Sequence, residues 1–159
     1  RLGQLQTYQN IPTIFFQRHF SEAFKYSRTL VQWLSSNIND FDLVHIHAVF
    51  SHASISASRL CRRHSVPYIV RTIGSLNPWG LQQKPYRKMF FWHLGVKQML
   101  QGAAVIHYTT QAEQQLAEIT LGLQHGVLLD QPIQGIHRIP QRARNDDAMK
   151  TGELIGDEI

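Results

Sequence analysis

Cysteine is almost absent from this sequence of 159 residues, whose single thiol is Cys61. One cysteine cannot close an internal disulfide, so nothing favours a secreted scaffold held by disulfides. Long apolar runs are also lacking, since the aliphatic stretches span only a few residues, as in 127–129. A membrane-spanning helix needs about 20 consecutive apolar residues. We therefore predict no transmembrane segment, and the cytoplasm is the expected compartment.

Acidic residues are scarce outside the C-terminal end of the chain. Five of the eleven acidic residues fall within the last fourteen positions, so residues 1–145 carry a net charge of +9. Such a surface favours anionic partners, which include phosphorylated ligands, phospholipid headgroups and nucleic acid. The basic residues are scattered rather than arranged in a stripe, which disfavours a nucleic-acid-binding or general anion-binding module without removing it as an alternative.

The remaining composition is that of one folded domain. Hydrophobic residues make up 43% of the chain and charged residues 17%, which is typical of globular proteins. The length suits a single hydrophobic core. The chain begins with Arg1 and shows no leader-like segment, so we expect the natural start to lie upstream.

Helix-like and strand-like segments alternate along most of the chain. Predicted helices cover about residues 21–38, 51–64, 85–101 and 110 onward, and predicted strands cover 42–47, 68–72, 103–108 and 126–129. Ser21, Ser51 and Thr110 are the expected N-caps. This order predicts an α/β fold with a doubly wound parallel sheet, whose ligands bind at the carboxyl ends of the strands. Residues 131–159 lose this periodicity and are predicted to be a poorly ordered tail.

Two histidines lie on one predicted strand. His45 and His47 are two residues apart and therefore point to the same face, with His52 just beyond the strand. A His-x-His pair can form half of a zinc site, so a metal-dependent hydrolase using all three histidines is one alternative. The local sequence supplies no carboxylate as a general base, so our preferred interpretation is that these histidines do not bind a metal. A buried structural histidine is a further alternative, mainly for His45.

Other side chains near the predicted strand ends also allow two interpretations. Arg71 ends a predicted buried strand, where its guanidinium is suited either to a phosphate or carboxylate or to a salt bridge at the rim. Trp79 lies in the following loop, where stacking on a sugar ring is possible but a core anchor is preferred. Cys61 lies within a predicted helix and is expected to be a buried, inert thiol.

The predicted helix 85–101 has a basic face at its start. Lys84, Arg87 and Lys88 are spaced to share that face, beside the aromatic segment 90–92. This pattern suits a helix that lies on an anionic membrane. A solvated basic face above an aromatic core is the simpler interpretation.

Three segments in sequence carry a family resemblance. Residues 42–47 read Asp-Leu-Val-His-Ile-His, residues 67–79 contain Pro-Tyr-Ile-Val-Arg and then Gly-Ser-Leu-Asn-Pro-Trp, and residues 103–110 are followed by Glu113. Their order and spacing over about residues 15–130 resemble the N-terminal domain of family 4 (group 1) glycosyltransferases of the GT-B fold. Lys84 and Lys88 resemble the basic positions of the helix that follows the second segment.

The resemblance implies a Rossmann-like acceptor-side domain over residues 1–130, with its first strand missing. It implies a retaining glycosyltransferase of the hexosyltransferase type, involved in cell-surface polysaccharide biosynthesis. Such an enzyme moves a sugar from a nucleotide-sugar donor to a glycan or lipid acceptor, without a cofactor or nucleic acid. Because the family's donor-binding half is not recognisable, an inactive fragment is expected. Peripheral contact with the inner face of the membrane is expected through the basic residues Lys84, Arg87 and Lys88.

The resemblance also implies roles for individual residues. His47 is the implied catalytic residue. Gly74 stands where many relatives have a histidine. The cleft between acceptor and donor is expected to be lined by Arg71, Gly74, Ser75, Trp79 and Glu113.

Overall fold

The computed structural model describes residues 2–20, 24–77, 79, 82–123, 126–128 and 152–154. Most of the segment predicted to be a poorly ordered tail, 131–159, lies outside these residues. Its described part is the strand at 152–154, which the sequence did not predict.

A two-stranded antiparallel hairpin precedes the main sheet. Strand β1 (Leu5–Tyr8) pairs with β2 (Ile11–Ile14), and the turn between them is made by Gln9 and Asn10. Both turn residues have positive φ angles, 47° and 64°, as two-residue hairpin turns require. The sequence did not predict this hairpin, because Gln-Asn is a weaker turn signal than Asn-Gly.

The first helix begins later than the sequence predicted. Helix α1 (Arg28–Asn37) is capped by Ser27, whose Oγ accepts a hydrogen bond from the backbone nitrogen of Leu30 at 3.2 Å. Lys25 has a positive φ of 48°, which a continuous helix from Ser21 does not permit. The predicted start at Ser21 is therefore wrong, and a 3₁₀ turn (Ile38–Asp40) follows the helix.

Two other predicted N-caps are confirmed. Ser51 caps α2 (His52–Arg63) by accepting a hydrogen bond from the backbone nitrogen of Ser54 at 3.1 Å. A later helix, Gln111–Leu121, is capped in the same way by Thr110. Each hydroxyl satisfies a backbone donor that the first helical turn leaves without an intrahelical partner.

The predicted helix 85–101 is interrupted. It consists of α3 (Pro85–Phe91), a π-helical turn (Trp92–Val96) and α4 (Lys97–Gly102). Gly95, inside the π-helical turn, has a φ of 155°, which lies outside helical geometry. The helix Gln111–Leu121 is therefore α5.

The main sheet is parallel throughout its described strands. They are β3 (Val44–His47), β4 (Tyr68–Arg71), β5 (Val105–Tyr108), β6 (Gly126–Leu128) and β7 (Gly152–Leu154). Their spatial order is β6-β5-β4-β3-β7. The predicted α/β fold, a Rossmann-like half with a parallel sheet flanked by helices, is confirmed, because helices connect β3 to β4, β4 to β5 and β5 to β6.

Side chains alternate between the two faces of this sheet. One face packs against α2, α4 and α5, with α1 packed on α2, and its strand residues belong to the main hydrophobic core: Val44, Ile46, Tyr68, Val70, Ile106 and Tyr108. The intervening residues, which include His45, His47 and Arg71, therefore point to the other face. None of the helices in the described part of the chain combines the length and apolarity needed to cross a membrane.

Candidate functional site at the carboxyl edge of the sheet

His47, Arg71 and His107 form one row across three adjacent strands. In the register of the sheet, His47 pairs with Arg71 and Arg71 pairs with His107. Neighbouring strands lie about 4.8 Å apart, and residues in register share a face. The three residues occupy the last or penultimate position of their strands. The row therefore lies at the edge where open parallel sheets bind ligands.

His45 lies directly behind this row. Its ring centroid is 4.4 Å from that of His47 and 6.3 Å from that of His107. The prediction that His45 and His47 share a face is confirmed. His47 is buried, with 8% of its surface exposed, and the other three residues are half-buried.

The row offers hydrogen-bonding groups for a ligand. Nε of Arg71 and both ring nitrogens of His107 are buried and find no hydrogen-bond partner among the described residues. Buried polar atoms are nearly always satisfied in folded proteins, so such groups point to a partner outside this set. A guanidinium between two imidazoles is suited to an anionic group or to sugar hydroxyls.

The structure does not assemble the three-histidine metal site of the hydrolase alternative. His52 packs on the helical side of the sheet, with its ring centroid 4.6 Å from that of Tyr26 and 5.3 Å from that of Phe24. No group of three His, Cys, Asp or Glu side chains within the described ranges is arranged to hold a metal ion.

The turn beyond Arg71 continues the edge of the site. The backbone nitrogen of Thr72 donates to the carbonyl of His107 at 3.2 Å, and the nitrogen of Ser75 donates to the carbonyl of Thr72 at 3.0 Å. Gly74 has a φ of 66°, which glycine adopts without the cost that a Cβ imposes. Gly74 and Ser75 are half-buried at this turn, directly after the row.

Glu113 supports this turn from inside the protein. Its side chain is fully buried, and its carboxylate accepts hydrogen bonds from the backbone nitrogen of Leu76 and from both the nitrogen and the hydroxyl of Thr109. The resemblance implied that Glu113 lines the cleft. The structure instead places it beneath the loop, where it fixes the position of the turn.

The loop and α3 present a mixed basic and aromatic surface. Trp79 is 71% exposed, so its preferred interpretation as a core anchor is wrong. Phe91 is buried in the core, as the simpler interpretation of this helix requires. We define the α3 face as Lys84, Tyr86, Arg87, Met89 and Phe90; its large apolar members are all more than half exposed.

Lys88 lies at the margin of the α3 face rather than on it. Its Nζ is 5.0 Å from the centroid of the Phe50 ring, and burial lowers the pKa of this lysine. Lys84 precedes α3 as its N-cap residue, with a φ of 50°. The three predicted membrane-facing basic residues therefore do not form one uniform helical surface.

His107 is the site residue that the sequence analysis missed. The segment Val105–Tyr108 is recognisable as a strand, but its register against β4 is a tertiary property. The local signal that remained was a histidine near the end of a predicted strand.

Comparison with known proteins adds one match. A family model described as a glycosyl transferase 4-like domain matches residues 6–127, which include the row and the loop after it. No curated protein and no solved structure shows significant similarity to the chain.

Proposed function

Because the chain belongs to the glycosyl transferase 4-like domain family, we propose that it is the acceptor-side domain of a retaining glycosyltransferase. Its reaction would transfer a sugar from a nucleotide-sugar donor to a glycan or lipid acceptor. The observation that carries this proposal beyond family membership is the row of His47, Arg71 and His107 at the carboxyl edge of the sheet. That row presents one permanent cation and two imidazoles where an acceptor would meet a donor.

The proposed reaction breaks the bond between the anomeric carbon and the donor's diphosphate. A new bond forms from that carbon to the acceptor hydroxyl oxygen, on the same face that the diphosphate leaves. The hydroxyl proton passes to the departing diphosphate, which carries away the bonding electron pair as a nucleoside diphosphate.

We assign positioning and electrostatic roles to the row. His47 would accept or donate a hydrogen bond at the acceptor hydroxyl, which orients it for attack. Arg71 would bind a phosphate or carboxylate with two parallel hydrogen bonds, because its planar guanidinium matches such groups. Gly74 and Ser75 would frame the site, and Glu113 would act through the loop that it holds.

The same proposal includes peripheral contact with an anionic membrane on the cytoplasmic side. The α3 face combines basic residues with exposed aromatic side chains, and Tyr86 and Phe90 are 83% and 58% exposed. Aromatic and basic groups together favour the interface between lipid headgroups and hydrocarbon. A sugar acceptor embedded in the membrane, or a growing cell-surface polysaccharide, would then lie close to the row.

Binding at the row is testable on the chain itself. Ring signals of His47 and His107 are followed by NMR during addition of soluble glycans, lipid-headgroup analogues and nucleotide sugars. We expect an acceptor to shift both signals and Arg71→Gln to weaken its binding at least about tenfold. Arg63→Gln is the matched control, since Arg63 is exposed in the last turn of α2. Equal weakening by both variants would contradict a role for the row.

Transfer requires the donor side to be supplied. The chain is combined with the donor-binding domain of a family member, and release of nucleoside diphosphate and the product's anomeric configuration are measured. His47→Gln and Arg71→Gln should each lower transfer about 100-fold, whereas Arg63→Gln should not change it. A product of inverted configuration would refute the retaining reaction, and transfer insensitive to both variants would refute the proposed site.

Membrane contact has a separate test. Co-sedimentation with vesicles containing phosphatidylglycerol is compared for the unaltered chain and for Tyr86→Ser and Phe90→Ser. The exposed Ile119→Ser on α5 is the control, because it removes an apolar side chain away from the α3 face. Loss of sedimentation in the first two variants alone is expected, and unchanged sedimentation in them would refute this contact surface.

A further inference from the structure

A cavity of about 350 Å³ lies between α1 and α2. Arg28 and Gln32, one helical turn apart on α1, form one wall. His52, Ser56 and Arg59 form the other wall, at positions that share one face of α2. These helices lie on the core side of the sheet, whereas His47 and Arg71 point to the opposite face. The cavity is therefore separate from the site at the carboxyl edge.

The wall around His52 is held in place from both sides. The backbone nitrogen of His52 donates to the carbonyl of Phe24 at 3.1 Å, and its ring lies against the ring of Tyr26, which also lines the cavity. Ser56 Oγ is 3.4 Å from the ring nitrogens of His52. On the next turn, a guanidinium nitrogen of Arg59 donates to the carbonyl of Leu94 at 3.4 Å. Two segments outside α2 thus fix both ends of this wall.

The charges in the cavity have one sign. Arg28 and Arg59 contribute two guanidinium groups, and none of the described residues that line the cavity is a carboxylate. Burial, and secondarily the charge of Arg59, lower the pKa of His52. Burial, the larger cause, disfavours the charged form of the His52 ring whatever its neighbours, and the positive charge of Arg59 acts in the same direction.

We propose that this cavity is a binding site for a phosphate group, carried by a small soluble molecule or by a lipid headgroup. Phosphate accepts several hydrogen bonds at once, and guanidinium groups bind it with two parallel bonds. Ser56, Gln32 and Tyr26 add neutral donors around the two arginines. The volume falls at the lower end of the range for ligand pockets, about 300–1,000 Å³, which suits a phosphate with at most one small ring attached.

The ring signals of His52 report on this site alone, so they serve as the readout on the full chain. The probes are inorganic phosphate, glucose 6-phosphate and small phosphatidylcholine vesicles with or without phosphatidylglycerol. The variants are Arg28→Gln and Arg59→Gln. Arg28 is an exposed first residue of α1, so its replacement tests the site even if Arg59→Gln disturbs the contact with Leu94. Arg63→Gln removes the same charge from α2 outside the cavity.

Phosphate binding is expected to shift the His52 signals and raise the pKa of this histidine. Each cavity variant should weaken binding about tenfold or more, and Arg63→Gln should change it less than about twofold. If the soluble phosphates bind and the cavity variants weaken that binding, the ligand is a soluble molecule. If only the anionic vesicles bind and the cavity variants weaken that binding, the ligand is a lipid headgroup. Absence of both, or equal weakening by Arg63→Gln, overturns the proposal. Because Arg71 lies across the sheet, Arg71→Gln should leave this binding unchanged, which separates it from the proposed transferase site.

Discussion

The carboxylate of Glu113 lies 2.9 Å from the backbone nitrogen of Leu76, a residue 37 positions earlier in the chain. Its other oxygen accepts the two hydrogen bonds from Thr109, at 3.2 Å and 2.9 Å. One buried side chain thus joins the loop after β4 to the start of α5. Any residue of that loop that contacts a ligand depends on this connection for its position.

Replacement of Glu113 should destabilise the domain. Glu113→Ala leaves the Leu76 nitrogen without its acceptor in a buried site, which we expect to cost about 2–4 kcal/mol in the free energy of unfolding. Urea denaturation measures this difference. Glu118→Ala on the same helix is the control, because Glu118 is exposed and bonded only at the surface to Gln114. A loss no larger than in the control would show that the connection contributes nothing to stability.

Gly95 should not tolerate a side chain. Its φ of 155° disfavours other residues, and an added Cβ would lie 2.8 Å from Cγ2 of Ile55 in α2. We expect Gly95→Ala to lower the free energy of unfolding by about 1–3 kcal/mol, because α2 and the π-helical turn would have to separate. Thermal unfolding of both variants measures this effect. Gln98→Ala, at an exposed position of α4, is the control and should change the melting temperature little. Equal melting temperatures for the two variants would contradict this reason.

Cys61 should be unreactive in the folded protein. Its side chain is fully buried, and burial raises the pKa of the thiol to about 12. At pH 8 the thiol is protonated, and the thiolate is the reactive form. A disulfide reagent should react at least about 100-fold more slowly with Cys61 than with a cysteine introduced by Ser35→Cys at an exposed position of α1. Similar rates before and after addition of urea would contradict the buried placement.

His52 should contribute a pH dependence of known sign. Because its pKa is lowered in the folded state, the unfolded chain binds a proton at this residue more readily. The folded state therefore loses stability as the pH falls through the ordinary histidine pKa of about 6.5 and toward the lower folded value. The melting temperatures of the unaltered chain and of His52→Gln are compared across this range. The amount by which the unaltered chain exceeds the variant should decrease as the pH falls from 8 to 5. A difference that does not change with pH would refute the shift.

Local sequence was sufficient for most elements of the fold. The hydroxyls of Ser51 and Thr110 each accept a hydrogen bond from a backbone nitrogen three residues later in the chain. Because this interaction is local, both caps and the helices after them were predictable. The β-branched segments before and between these helices likewise predicted β3, β4 and β5. The start of α1 was not predictable in this way, since Ser21 and Ser27 are both able to cap a helix and the positive φ of Lys25 has no local signal.

The candidate site was predicted only in part. His47 and Arg71 were recognisable, because each ends a segment that reads as a buried strand. Trp79 was misinterpreted, since a large aromatic residue is usually buried and its exposure depends on the surrounding loop. Glu113 was given a place in the cleft, because its hydrogen bond to Leu76 joins residues 37 positions apart and has no local signal.

The sequence by itself determined the alternation of strands and helices, the shared face of His45 and His47, and the family to which the chain belongs. These features depend on periodicity and on contacts within a few residues. Only the tertiary structure decided that His107 joins His47 and Arg71, that Glu113 holds a loop 37 positions away, and that Arg28 and Arg59 face one cavity. Strand register and helix packing bring together residues that are distant in the chain, and local preferences do not encode those distances.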